Sequence, residues 1–297
     1  MKPINLGVAY PACNLPDNDF LLAKEKLQNY AINLEKSTHA EDIKQIPYRY
    51  SPKNRAKEIE SLFLDKNIHA IICARGGYGV QHILKYLNFD IIKNNPKPFI
   101  GYSDISILLN EISKRTSLVT QHGPMVKELA QINDDNFFQQ LKLNILNNFN
   151  SPAKLNFDNC ETIKEGVAEG ILVGGNLSSL VASTATPYEI NFKNKILFLE
   201  DTDEEYYHID RLLTNLCDSK KIYDSSAIIF GDFNLMECKK LHYNISLKEL
   251  ILSILTAYKK PILWGLPVGH QNYKNYLPIG RKINLSLTKN KKEISFL

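Results

Sequence analysis

No stretch of this 297-residue chain reaches the ~18 consecutive apolar residues that a membrane-spanning helix needs, so no transmembrane segment is expected. Cysteine is scarce. The five present, Cys13, Cys73, Cys160, Cys217 and Cys238, are scattered and never spaced Cys-x-x-Cys. An odd and dispersed set excludes a disulfide framework and a zinc knuckle, and predicts free thiols in a reducing compartment. An excess of one charge is also missing. Thirty-six basic residues against 32 acidic ones leave a formal charge of +4, a balance with no nucleic-acid footprint. Histidine and carboxylate residues show no ligand-spaced cluster, which argues against a metallohydrolase. Internal repeats and low-complexity segments are absent as well.

What is present is an ordinary globular composition, 44% hydrophobic and 23% charged. The length fits two modest domains and is ample for a buried core. The N-terminal stretch has one early lysine and a short apolar run broken by Asn5, so it reads as a first strand and not as a signal peptide. The expected location is the cytoplasm.

The first half alternates strand and helix patterns. Ile4–Ala9, His69–Ala74, Pro98–Tyr102 and Leu118–Gln121 read as strands. Phe20, Ala23, Leu27, Ala31 and Leu34 recur at helical spacing, as do Val80, Ile83, Leu84 and Leu87. Ser51-Pro52 reads as an N-cap followed by proline in the first helical position. Strands separated by helices predict a parallel sheet covered on both faces. Residues 126–148 look helical, and the polar stretch 149–165 reads as a linker. The expected division is therefore an α/β domain over 1–148, the linker, and a second domain over 166–297. Strands are expected there at Ala168–Val173, Lys195–Glu200, Ala227–Gly231 and Pro261–Gly265, and helices at Asp210–Leu216 and Ser246–Tyr258.

Ligands of open parallel sheets bind beyond the carboxyl ends of the strands. Four such ends carry reactive residues. Phe99-Ile100-Gly101-Tyr102-Ser103-Asp104-Ile105 passes from strand to helix at a serine, with a glycine two residues earlier. This is half of a Gly-x-Ser-x-Gly nucleophile elbow, with Ile105 in place of the second glycine. Ser103 is either a nucleophile at a helix N-terminus, with the Asp104 N–H as an oxyanion donor, or a helix cap. Ala74-Arg75-Gly76-Gly77-Tyr78-Gly79 is either a tight turn or a loop that aims N–H groups, best that of Gly77, at an anion; it matches neither a P-loop nor a dinucleotide fingerprint. The strand ending in Glu200 directs a carboxylate, and the loop Gly265-Leu266-Pro267-Val268-Gly269-His270 ends in a histidine. His122 and His208 are rivals for His270. Ser103, Glu200 and His270 supply, in that order, a nucleophile, a carboxylate that orients imidazole, and a general base.

These motifs together resemble the LD-carboxypeptidase family of serine peptidases. The resemblance rests on ARGGYG, PKPFIGYSDISILL and TQHGPM within residues 74–125. It extends through Gly174-Gly175-Asn176, Leu199-Glu200-Asp201, His208-Ile209-Asp210-Arg211-Leu212-Leu213 and Gly265–His270, over roughly residues 1–285. It implies an N-terminal domain similar to class I glutamine-amidotransferase-like or flavodoxin-like sheets, and a smaller, mostly β C-terminal domain with helices. It implies a triad of Ser103, Glu200 and His270 drawn from both domains, an oxyanion hole from the N–H groups of Gly77 and Asp104, no metal or organic cofactor, and a homodimer. The expected reaction is release of the terminal D-alanine from a murein tetrapeptide during cell-wall recycling. Arg75 is expected to meet a substrate carboxylate. A branch of the family resembles microcin-immunity peptidases that cleave an aminoacyl-nucleotide amide; an aromatic residue placed to stack on a base would favour it, and Trp264, the single tryptophan, is expected in the core. A non-catalytic binding module is the alternative of another class. One departure from the family pattern is Tyr10-Pro11-Ala12-Cys13, where a Pro-Ser-Gly type of turn is expected.

Overall fold

The computed structural model describes residues 3–37, 51–150, 155, 157–234, 244–271, 274–288 and 291–297. Cys238 lies outside them. In chain order the elements are β1 (Ile4–Ala9), α1 (Asp17–Gln28), β2 (Ile32–Lys36), α2 (Pro52–Leu64), β3 (Ala70–Cys73), α3 (Phe89–Asn94), β4 (Phe99–Gly101), α4 (Ser106–Thr116) and β5 (Thr120–His122). They continue with α5 (Val126–Leu129), α6 (Asp135–Leu146), β6 (Glu161–Lys164), β7 (Gly166–Asn176), α7 (Leu177–Ala182), β8 (Lys195–Thr202), α8 (Tyr206–Asp218) and β9 (Ala227–Asn234). The last are α9 (Leu247–Ile254), β10 (Ile262–Trp264), β11 (Leu277–Ile279), β12 (Lys282–Thr288) and β13 (Lys291–Phe296). No helix among the described residues is long and apolar enough to cross a membrane.

The chain forms two compact α/β units, Met1–Lys154 with Tyr273–Ile279, and Leu155–Asn272 with Gly280–Leu297. The first holds a six-stranded sheet in the order β11-β5-β4-β3-β1-β2. Its five N-terminal strands are parallel, and β11 closes one side antiparallel to β5, with Leu277 opposite His122. The strand β3, Ala70-Ile71-Ile72-Cys73, is buried at every residue, as a strand covered on both faces must be. On one face Phe20, Ala23 and Leu27 of α1 and Phe137, Phe138 and Leu141 of α6 pack onto Leu6, Val8, Leu34 and Ile72. On the other, Phe63 of α2 stacks on Phe99 of β4 with centroids 5.9 Å apart. Ser51 caps α2 as expected, its side chain accepting the Asn54 N–H at 3.3 Å, with Pro52 in the first helical turn.

The second unit holds a seven-stranded sheet, β13-β12-β7-β8-β9-β10-β6. Strands β7 to β10 are parallel neighbours, while β12, β13 and β6 pair antiparallel. Helices α7, α8 and α9 link the parallel strands in sequence, and right-handed crossovers between successive neighbours put all three on one face. Leu177, Leu180, Ile209, Leu213, Leu250 and Ile251 from those helices bury against Leu197, Leu199, Ile228 and Phe230.

Several expectations change. The division at 148 and 166 as two contiguous stretches misses Tyr273–Ile279, which belong to the first unit. The stretch 149–165 is not linker throughout, because Glu161–Lys164 form β6 on β10. The helix expected at 80–87 is two 3-10 turns, Val80–His82 and Leu84–Tyr86. The helix expected over 126–148 is two helices, α5 and α6, the second started by Asp134, whose carboxylate accepts the Phe137 N–H at 3.1 Å.

Candidate active site

In the first unit the chain runs out along β1 and β2 and returns to β3 on the opposite side of β1, so the strand order reverses between β1 and β3. The crevice beyond the carboxyl ends of strands at such a reversal is where open α/β sheets hold ligands. The turns after β3 and β4 carry Arg75-Gly76-Gly77 and Ser103-Asp104. Ser103 has φ +62°, a left-handed conformation. A non-glycine residue held there stores strain, and such strain gathers at functional positions. The plain capping alternative is not what the structure shows. Tyr102 occupies the cap position of the 3-10 turn Ser103–Ile105 without a side-chain capping bond, and α4 starts after Ile105, also without one. The first bond of the turn runs from Ile105 N–H to the Tyr102 carbonyl. The Asp104 N–H precedes it and stays outside the turn's own hydrogen bonding.

The turn after β3 lies directly against the serine. A β-carbon added at Gly76 would fall 2.8 Å from the Ser103 β-carbon and 2.9 Å from its Oγ. Only glycine permits this approach. Gly77, the expected oxyanion donor, has φ +117° and backs onto Cys13, whose Sγ would be 2.5 Å from a β-carbon there. The Asp104 carboxylate accepts the Val80 N–H at 2.9 Å and so ties the two turns together. Burial pushes its pKa up to about 6, against the opposing pull of that bond and of Arg55. Arg75 is half-buried at the same sheet edge and forms no ion pair with the described residues. Tyr78 is 59% exposed, its ring edge-on to His82. His122 is not a rival base. It is 1% exposed, at the end of β5, with its ring edge-on to Tyr102.

In the second unit β8 ends in two buried carboxylates. Glu200 is 0% exposed, and its Oε2 meets His270 Nδ1 at 2.7 Å. A buried acceptor on Nδ1 fixes the tautomer and leaves Nε2 as the basic nitrogen. The loop carrying His270 is pinned to the end of β9. The N–H groups of Gly265 and Leu266 donate to the Phe230 carbonyl, Asp232 N–H donates to Val268, and Gln271 N–H reaches Asp232 Oδ2 at 3.1 Å. Gly269, at φ +141°, makes the bend that delivers His270. His208 is engaged elsewhere, with Nδ1 2.6 Å from Glu204.

Asp201 is the neighbour that sequence reasoning left without a role. It accepts Asn176 Nδ2 at 2.8 Å, and Ser178 N–H and Oγ at 2.9 and 2.7 Å. Burial, and then the adjacent Glu200 charge, push it up to about 6. The Gly-Gly-Asn motif therefore anchors the strand end that presents Glu200. Arg55 and Glu58 were also missed. They are buried at 0% and 1% exposure on α2, alongside its apolar face of Ala56, Ile59, Leu62 and Phe63. Trp264 is half-buried and stacks on Phe233 at 6.0 Å and 10°, with Phe230 also alongside, so its own unit occupies its ring.

A strained serine at a strand–helix junction and a carboxylate-oriented histidine are the parts of a serine hydrolase built on α/β sheets. The chain belongs to the LD-carboxypeptidase family: residues 6–123 match the LD-carboxypeptidase N-terminal domain and residues 169–285 the LD-carboxypeptidase C-terminal domain. Membership makes it a serine-peptidase-type hydrolase. A probable murein peptide carboxypeptidase of Bacillus subtilis is 36% identical over 231 residues, 77% of this chain and 72% of that protein. The Microcin C7 self-immunity protein MccF of Escherichia coli is 29% identical, over 80% of this chain and 78% of its own. Among solved structures, an MccF-like protein from Bacillus anthracis superposes with a TM-score of 0.81 at 27% identity, covering 100% of this chain and 97% of its own.

Proposed function

We propose that this chain hydrolyses an amide bond in a small peptide or peptidyl-nucleotide, with Ser103 as nucleophile, His270 as general base and Glu200 as its orienter. The observation that carries the reading is the left-handed Ser103 at φ +62°. His270 takes the Ser103 proton as Oγ attacks the carbonyl, then gives it to the leaving amine, and water releases the acyl group. The N–H groups of Gly77 and Asp104 stabilise the oxyanion. Arg75 receives a substrate carboxylate; an unchanged KM in Arg75→Ala would remove it from that role. The parallel order β2-β1-β3-β4-β5 supports the flavodoxin-like description of the first unit. We further place the protein in the cytoplasm, as a homodimer.

Two substrates fit this chemistry. The likeness to MccF-type proteins, in sequence and in solved structure, favours an aminoacyl- or peptidyl-nucleotide amide, and this reading stands first. Tyr78, 59% exposed in the turn after β3, offers an aromatic ring on which a base could stack. The murein tetrapeptide, cleaved at its terminal D-alanine, is favoured by the 36% identity to the Bacillus subtilis protein. Mass spectrometry of both substrates, each incubated with native protein and with Ser103→Ala, separates them. Cleavage of one substrate by the native protein alone identifies substrate class and nucleophile. Equal cleavage by Ser103→Ala would remove Ser103 from the mechanism, and no cleavage of either would favour a binding module.

A further inference from the structure

Between the turns after β1 and β3 lies a guanidinium that the hydrolytic reading does not use. Arg55 on α2 is 0% exposed, a rare state for arginine. Its Nη1 donates to the Pro11 carbonyl, beyond β1, and to the Gly79 carbonyl, beyond β3, the latter at 3.3 Å. One turn further along α2, buried Glu58 accepts the Tyr10 N–H at 2.8 Å. A single helix therefore reaches the turns after β1 and β3, on either side of the point where the strand order reverses.

Peptide planarity makes this contact more than an anchor. The Gly79 carbonyl and the Val80 N–H belong to one peptide group and point in opposite directions. Arg55 holds the carbonyl, and Asp104, the residue after Ser103, holds the N–H at 2.9 Å. The peptide is fixed at both ends, so the orientation of the turn Arg75–Gly79 is set against the residue that follows the serine. A buried charge is weak evidence of a stabilising role, because apolar side chains that replace a whole buried ion pair often serve a core equally well.

We propose that Arg55 is a positioning residue of the hydrolytic reaction, clamping the Gly79–Val80 peptide with Asp104 and so holding the turn Arg75–Gly79 in register with Ser103. The proposal rests on the reading of Ser103 as nucleophile. The groups acting on the Asp104 carboxylate are Arg55, from α2, and the Val80 N–H, from the turn. Glu58 acts on Cys73 of β3.

The test measures kcat, KM and their pH dependence for Arg55→Met, Arg55→Lys, Asp104→Asn and Arg55→Met/Asp104→Asn, on whichever of the two substrates the native protein cleaves. Misplacement of a reacting group by about 1 Å lowers rate ~10²-fold, which is the loss expected in kcat for Arg55→Met, with KM changed by less than about threefold. Arg55→Lys keeps the charge without the planar fork and recovers part of the loss. Removing the guanidinium removes the charge that favours ionised Asp104, the stronger acceptor for the Val80 N–H, so Arg55→Met should lose additional kcat toward low pH, beyond the His270 limb of the native enzyme, and the double variant should not. A purely structural role lowers the folded fraction and scales the profile without moving its limb. The proposal is overturned if folded Arg55→Met and Arg55→Lys keep kcat within threefold of native, or if the loss is equal at every pH. Should Arg55→Met not fold, Arg55→Lys decides alone, with a fall in kcat of about tenfold at unchanged KM expected from a smaller misplacement. Turnover that survives Ser103→Ala instead brings down the serine reading itself.

Discussion

Gly76→Ala is the sharpest probe of the serine turn. Gly76 is not among the residues with left-handed backbone, so alanine fits its conformation. The new methyl meets the Ser103 β-carbon at 2.8 Å and its Oγ at 2.9 Å. Ordinary carbon–carbon contact begins near ~3.5 Å, so the two groups must part by roughly 0.7 Å. A displacement of that order at a reacting atom lowers kcat by up to ~10²-fold. Overpacking costs about 1–3 kcal/mol, partly offset by the ~0.4–1 kcal/mol that alanine gains by restricting the unfolded chain. Steady-state kinetics and urea unfolding measure both. The cycle with Ser103→Gly isolates the contact, because removing the serine β-carbon removes the collision; the stability cost of Gly76→Ala should then largely vanish. A folded Gly76→Ala enzyme with native kcat would refute the assignment of Ser103 as nucleophile against this turn. An equal stability cost in both backgrounds would show that the strain arises elsewhere.

Other outcomes follow from the same geometry. Ser103→Gly relieves the left-handed strain at φ +62° and should raise unfolding stability by about 1 kcal/mol while abolishing turnover; a loss of stability on chemical denaturation would contradict the strain. Glu200→Gln keeps the shape beside His270 but lets an amide group face Nδ1, so kcat should fall by up to ~10⁴-fold, read from the initial rate; a fall below tenfold would remove Glu200 from the orienting role. Asp104 has its folded pKa raised from 3.8 to about 6. Between those values the folded state binds more protons than the unfolded one. Its contribution is therefore most favourable below pH ~4 and is lost as pH rises through ~6, by up to ~3 kcal/mol. The stability of Asp104→Asn relative to native, from urea melts at pH 4.5 and 7.5, should rise with pH, and a flat difference would contradict the shift.

The parallel architecture of the first unit was legible because buried strands and amphipathic helices leave distinct periodicities. Ile4–Ala9 and the apolar run at 70–73 lie where the pattern placed them. The serine turn, the glycine loop and the strand ending at Glu200 were legible for a related reason: strand ends in open α/β sheets are where chemistry gathers. Short-range pattern was less informative at 80–87 and 161–164. Val80, Ile83, Leu84 and Leu87 satisfy a helical period, yet the Val80 N–H is taken by Asp104 and the chain forms two 3-10 turns. Glu161–Lys164 are half-buried to exposed and look like linker until β10 supplies a pairing edge.

Sequence by itself thus determined the α/β character of the chain, the family motifs and the candidate residues for hydrolytic chemistry, since these depend on composition, periodicity and order along the chain. Tertiary structure decided which of them lie together within each unit. It set a left-handed Ser103 directly against Gly76, gave His270 and not His208 to Glu200, consigned His122 to the core, and sent Leu277–Ile279 back to pair with β5. It alone revealed Arg55, because a buried charge is distinguished from a solvated one only by what surrounds it, and the carbonyls it meets lie 44 and 24 residues away along the chain.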